Sequence, residues 1–437
     1  MSQNNDDLGD LIGRELHNRV DDWSDAPLTF QDVRGRAKRI RRGRRIAAGV
    51  GVAAAAAILV PTALIAGSGL DRSEPDPAPT GPTQSATGGT PSANTSADPT
   101  GPTQNQTATE GVPGEKAEVP LDVSNLDAGD LPAVTWLEGT AAHLASGETL
   151  ELPEAYASIA EVGDRLVVTS SDDQGNLQVT VLSAAGDIVS SYPVDDGRVV
   201  ANRNRTAAAW IGPDGVPMVL QDGRPEPVQL AQVEGTDFGI SGLVGDDCSS
   251  ASESEGPSAA GCQVYVDTQV GEERTSWVVS SDGSVDRASE RVLGINAVNA
   301  DGSRLVALTS LTDTEGCWEA MDSSYRPEWE SCRDNAKSFS PDGQYVLAIL
   351  GLDDGFGPLD LSVLRADSGE SVVHFQRADP SGTPFDMVWE DPEHLLAAVF
   401  QGNEWSIVRF GLDGSMEYAV PPRTGPDLPR LFVLATQ

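Results

Sequence analysis

From about residue 130 to the C-terminus, apolar residues come in short alternating or β-branched runs, and turn-forming Asp-Gly, Asn and Pro separate the runs. No amphipathic helix of useful length interrupts them. Two kinds of turn recur. One joins a half-buried strand to a very apolar one: EVGDRLVVTS (161–170), NRNRTAAAWI (202–211), NADGSRLVAL (299–308), SPDGQYVLAI (340–349) and EDPEHLLAAV (390–399). The other joins the next two strands, as in LSAAGDIVSSYPV (182–194) and GLDGSMEYAV (411–420). Neighbouring turns of the first kind lie 41, 41 and 50 residues apart, and the gap of 97 between 202 and 299 fits two units. Four strands per unit at this period predict an all-β, seven-bladed β-propeller, because a ring of sheets covers both faces of every sheet. Units start near 156, 197, 235, 291, 333 and 382, after an incomplete first unit at 133–153. The lone terminal strand RLFVLATQ (430–437) is expected to join Ala133–Pro153 as its innermost member. Six or eight blades also fit, since the cysteine-bearing loops blur two boundaries.

The first 120 residues follow other patterns. Leu8, Leu11, Ile12, Leu16, Val20 and Trp23 share one helical face, and Phe30, Val33, Ala37 and Ile40 form a second stripe. RGRAKRIRRGRR (34–45) follows, then a run from Ile46 to Leu70 without an ionisable side chain. About 20 apolar helical residues cross a bilayer. The expected organisation is a cytoplasmic amphipathic and basic segment over 1–45, a transmembrane helix over 46–68, and a disordered linker over 69–120. That linker is rich in Pro, Thr, Ser and Gly. An extracytoplasmic propeller fills 121–437. The basic flank sets this orientation. A cleaved signal peptide is the alternative, and it too places the body outside.

Charge removes one class of partner. Residues 1–45 hold 10 Lys+Arg and 8 Asp+Glu, which leaves 19 basic and 59 acidic residues, a net of -40, for the rest of a chain whose total is -38. Such a body repels phosphate backbones, so no nucleic-acid partner is expected. The four cysteines form two local pairs, Cys248 with Cys262 and Cys317 with Cys332, without the spacing of a zinc site. In an oxidising compartment they are expected to be disulfides; in a reducing one, four thiols.

Ser338-Phe339-Ser340-Pro341-Asp342-Gly343 resembles the FSPDG turn of TolB-like and WD-repeat propellers, with Ser340, Pro341, Asp342 and Gly343 making the turn between a blade's first two strands. Asn299-Ala300-Asp301-Gly302 is a partial copy. LGDLIGRELHNRVDDW, PLTFQDVRGRAKRIRRGRR and the Ala-rich run resemble the start of actinobacterial single-pass membrane proteins, some of them similar to anti-sigma regulators. The chain lacks the His-x-x-x-Cys-x-x-Cys motif of one such class.

No catalytic, cofactor-binding or metal-ligating residue is assigned. GxSxG is absent, and the acidic stretch Gly245–Glu255 lacks the order of a calcium loop. His374 and His394 are expected to be ordinary surface histidines. Trp318, Tyr325 and Trp329, inside the expected Cys317–Cys332 loop, are the candidate partner contacts. The expected role is a membrane-anchored binding module. It would meet an extracytoplasmic protein or cell-wall ligand outside and a regulatory protein, such as a sigma factor, inside. A surface hydrolase or lyase and a structural envelope protein are the alternatives.

Overall fold

The computed structural model describes residues 117–437 apart from 173, 249–260, 272, 313–314, 352–357, 359, 379–380, 428 and 437. The segment expected in the cytoplasm, the expected span and most of the expected linker lie outside these residues. Among the described residues no helix is long and apolar enough to cross a membrane.

Seven sheets of at least four strands, each ordered from innermost strand A to outermost strand D, form a seven-bladed β-propeller. Blade 1 combines the C-terminal Phe432–Leu434 with Trp136–Glu138, Ala141–His143 and Thr149–Glu151. Blade 2 holds Ser158–Val162, Arg165–Ser171, Leu177–Leu182 and Ile188–Pro193. Blade 3 holds Val200–Ala201, Ala207–Ile211, Pro217–Gln221 and Val228–Gln229. Blade 4 holds Thr236–Val244, Gln263–Val270, Glu273–Ser280 and Val285–Arg287. Blade 5 holds Gly294–Val298, Arg304–Leu311, Gly316–Asp322 and Pro327–Ser331. Blade 6 holds Asp334–Phe339, Tyr345–Leu350, Leu361–Arg365 and Ser371–Arg377. Blade 7 holds Thr383–Trp389, His394–Gln401, Glu404–Gly411 and Met416–Thr424.

The B strands are apolar on both sides because each blade is packed between two others; in blade 3, Ala207 to Ile211 are all fully buried. The core is therefore a ring of clusters, one in each cleft between neighbouring blades. Leu137, Ile159 and Val433 fill the cleft between blades 1 and 2. Trp210 with Val181 fills the next cleft, and Cys248 and Cys262 lie among the apolar residues between blades 3 and 4. Trp318 with Phe339 joins blades 5 and 6, and Trp405 with Phe432 joins blades 7 and 1.

Closure occurs where the repeat pattern placed it. Phe432, Val433 and Leu434 pair antiparallel with Glu138, Leu137 and Trp136, as strand A of blade 1. Ala435 N–H donates to Thr135 O (2.9 Å), and Thr436 N–H to Ile159 O (2.9 Å).

A second closure was not expected. Ala117–Leu121 forms a fifth strand on the outside of blade 6, parallel to Val373–Arg377. The expected linker thus overlaps this strand at residues 117–120. Pro120 has no N–H to offer a neighbour, and an outermost strand tolerates this. The chain continues over blade 7, where Ala128 bridges to Tyr418. Tyr418 O–H donates to Val123 O, and Gln401 donates to Asp122 (2.8 Å). Of the outermost strands of the seven blades, three have six or more residues: Ile188–Pro193, Ser371–Arg377 and Met416–Thr424. The N-terminal strap lies on the last two. The first bears an irregularity at Val189 and ends in Pro193, two devices that blunt a free edge.

Candidate functional site

The A–B and C–D turns share one face of the ring, and on it the repeated turn motif becomes a set of hydrogen-bonding hubs. In SPDG, Ser340 O accepts from Gly343 N–H (2.8 Å), Pro341 takes the second position of the turn, and Gly343 adopts φ 72°. Ser340 Oγ accepts from Tyr345 N–H (2.9 Å) and donates to Asp342 (2.6 Å). Asn299 holds the same place in blade 5, accepting from Arg304 N–H (3.0 Å) and donating to Ser303 Oγ (3.0 Å), with Gly302 at φ 69°. Asn202 holds it in blade 3, where its Oδ1 accepts from Thr206 N–H (2.9 Å) and Ala207 N–H (3.0 Å).

Asn202 does more than its counterparts. Its amide also reaches Gly245 O (2.8 Å) and Asp246 Oδ1 (2.9 Å) in blade 4, next to the Cys248–Cys262 bridge. Asn204 donates to both Asp246 oxygens (3.0 Å each), and Thr206 Oγ donates to one of them (3.0 Å). This network walls a recess of ≈ 250 Å³ lined by Asn202, Arg203, Asn204, Gly245, Asp246 and Asp301. The Ser303 hydroxyl holds the Asp301 carboxyl below its ordinary 3.8, against the opposing effect of burial. A wider depression of ≈ 680 Å³ lies between blades 2 and 3, lined by Asp164, Arg165, Asp222, Arg224 and Pro225. There the Arg165 guanidinium donates to Gln221 O (2.7 Å) and Arg224 O (2.6 Å), which pins blade 2 to blade 3. The side chains are preorganised by their mutual bonds.

The expected contacts behave otherwise. CWEAMDSSYRPEWESC is a hairpin of strands C and D of blade 5, with Trp318 opposite Ser331 and Ala320 opposite Trp329, so Cys317–Cys332 staples a hairpin and no free loop. Trp318 is fully buried between blades 5 and 6. Trp329 is half-buried, with its indole N–H on Ala366 O (2.9 Å) and its ring over Gly369. Tyr325 packs into the cleft between blades 4 and 5 near Tyr265, whose hydroxyl burial pushes up to about 12. Trp318 and Trp329 share the cleft between blades 5 and 6, while Tyr325 packs into the cleft between blades 4 and 5. His374 is also buried, against expectation, and bonds Asp360 (3.1 Å). His394 stays near the surface, bonded to Asp391 (2.9 Å). The calcium-like stretch is described only up to Cys248.

Two half-buried carboxylates, Asp267 and Asp386, tie the blades together. Asp267 accepts from Ser241 (2.6 Å), Ser276 (2.5 Å) and the N–H of Ile295 (3.0 Å), so it ties blade 4 to blade 5; burial raises its pKa and these bonds oppose the rise. Asp386 pairs with Arg430 ahead of the closing strand, and burial again raises its pKa. Among 59 acids no local signal separates them. Asn202 did have one, since it opens the same aligned turn as Asn299 and Ser340.

No protein-family model matches the sequence, and no curated protein matches it. Three solved structures are similar at low levels. A eukaryotic initiation factor is 16% identical with TM-score 0.38, over 68% of this chain and 90% of that one. The β-propeller domain of Myceliophteria thermophila Cps50 (Swd1) is 11% identical with TM-score 0.41, over 70% and 90%. The C-terminal WD40 domain of Sif2 is 13% identical with TM-score 0.40, over 61% and 74%. At these levels they carry no functional argument. The propeller assignment stands on the strand order and on the closing strand.

Proposed function

We propose that this chain is a membrane-anchored, extracytoplasmic β-propeller of the TolB-like type, acting as a binding module whose N-terminal segment meets a cytoplasmic regulator such as a sigma factor. The observation that carries the reading is the pairing of all four cysteines, Cys248 with Cys262 and Cys317 with Cys332. Disulfides persist in oxidising compartments, and the basic run ahead of the uncharged run gives the orientation that puts them there. The turn face of blades 2 to 5 is the binding surface in this reading, because its donors and acceptors are fixed before any partner arrives. A polar, non-nucleic-acid partner suits it.

The test is a C-terminal alkaline phosphatase fusion, expressed beside a variant lacking residues 6–23. Phosphatase activity and altered transcription in the deletion strain are expected. An inactive phosphatase on a folded fusion refutes the outside placement, and unchanged transcription refutes the coupling.

A further inference from the structure

We propose that Cys317–Cys332 is a redox switch, opened by a dithiol reductant under conditions that leave Cys248–Cys262 closed. The proposal does not depend on which side of a membrane the propeller faces. The two bridges differ in access. Cys248 and Cys262 are both fully buried in the cleft between blades 3 and 4. Cys317 is 8% exposed, and Cys332 is an exposed residue where the chain leaves blade 5. Thiol–disulfide exchange requires a thiolate to reach a sulfur, so only the second bridge is open to attack in the folded protein.

The chemistry balances as a two-electron exchange. A reductant thiolate attacks Sγ of Cys332 and expels the Cys317 thiolate, which takes up a proton. The reductant's second thiol then displaces the Cys332 sulfur, which is protonated in turn. The products are two cysteine thiols and the oxidised dithiol. Glu315 shapes the choice of reductant, since its carboxylate, Cys317 Sγ and Cys332 Sγ lie within 4.8 Å of one another. A negative charge there disfavours the leaving thiolate and repels an anionic thiol.

Opening the staple has a structural target. Cys332 leads directly into Arg333, whose carbonyl accepts from Gly351 N–H (2.6 Å) and whose guanidinium lies 3.5 Å from His374 Nε2. His374 in turn bonds Asp360. The bridge thus fixes the crossover from blade 5 to the outer half of blade 6, while the pairing of Trp318 with Ser331 keeps the hairpin together without it.

The full-length chain is treated with a neutral dithiol, alkylated at intervals and mapped by peptide mass spectrometry, with amide exchange followed in parallel. Cys317 and Cys332 are expected to be alkylated at least ~10-fold sooner than Cys248 and Cys262. E315Q is expected to speed reduction by glutathione, an anionic thiol, about 2–5-fold, and reduction by the neutral dithiol less. Exchange at Gly351 is expected to rise once the bridge is open. Simultaneous opening of the two bridges overturns the proposal, because it means reduction through global unfolding. Unchanged Gly351 exchange in the reduced protein overturns it too, because then nothing is switched.

Discussion

The C-terminal strand Phe432–Leu434 enters blade 1 as its innermost strand, antiparallel to Trp136–Glu138; the N-terminal strand Ala117–Leu121 lies outside blade 6, parallel to Val373–Arg377. The inner strand serves two clefts. Phe432 and Leu434 fill the one between blades 7 and 1, and Val433 the one between blades 1 and 2. The outer strand serves one. Leu121 is fully buried and Val119 partly buried beside Phe375 and Phe410, while Glu118 and Pro120 face out. A strand between two blades must be apolar on both sides, and a strand on a rim only on one. The inner strand closes a ring that is otherwise open; the outer one seals a cleft that already exists.

That difference predicts the rank of the damage. Removing residues 431–437 deletes the buried Phe432, Val433 and Leu434 side chains, each contributing about 1.5–3 kcal/mol, from a fold whose whole margin is of order 5–15 kcal/mol. Loss of the cooperative thermal transition by circular dichroism is expected, and a truncated chain that melts like the full one would sink the closure argument. Leu121→Ala should cost about 2 kcal/mol, the low end for a buried leucine, because it empties the outer part of one cleft. Denaturant melts should show a shifted midpoint, and a cost as large as that of the truncation would mean that the strap, too, holds the ring shut. Tyr418→Phe keeps the ring packed and removes only the bond to Val123 O, so about 1 kcal/mol is expected.

The smallest effect is a difference in pH response. The Gln401 amide, with help from Ser124, holds the Asp122 carboxyl of the strap below 3.8. Its contribution is present above 3.8 and lost as pH falls through the folded value. Asp386, beside the inner strand, has its pKa raised by burial, so its contribution is complete below 3.8 and lost as pH rises through the folded value. Hydrogen exchange on acidification should therefore loosen Val123 N–H, bonded to Gln401, before Ala435 N–H. Asp122→Asn should abolish that order, and its persistence would remove Asp122 as the cause.

The two ends were unequally legible. The terminal RLFVLATQ was found because the first unit shows only three strands, and a ring needs the fourth. AEVPL was hidden in a Pro-rich run: five residues with no period, whose strand character comes from a neighbour more than 250 residues away. The burial of Trp318 was hidden for a related reason. Its hairpin was visible as a cysteine-bounded stretch, but the burial of Trp318 is set by Phe339 and Val346 of the next blade.

Strand, turn and repeat are local matters. Alternation, Asp-Gly chemistry and a period of about forty residues therefore determined an all-β ring of four-stranded blades, its closing strand and its pairs of neighbouring cysteines. Contacts between blades are not local. Only the tertiary structure decided which carboxylates are buried, which tryptophan is sealed in a cleft, which disulfide is open to attack, and that the chain leading into the propeller first runs along its outer edge. Each of these depends on what a distant segment places opposite, and no pattern within one segment encodes that.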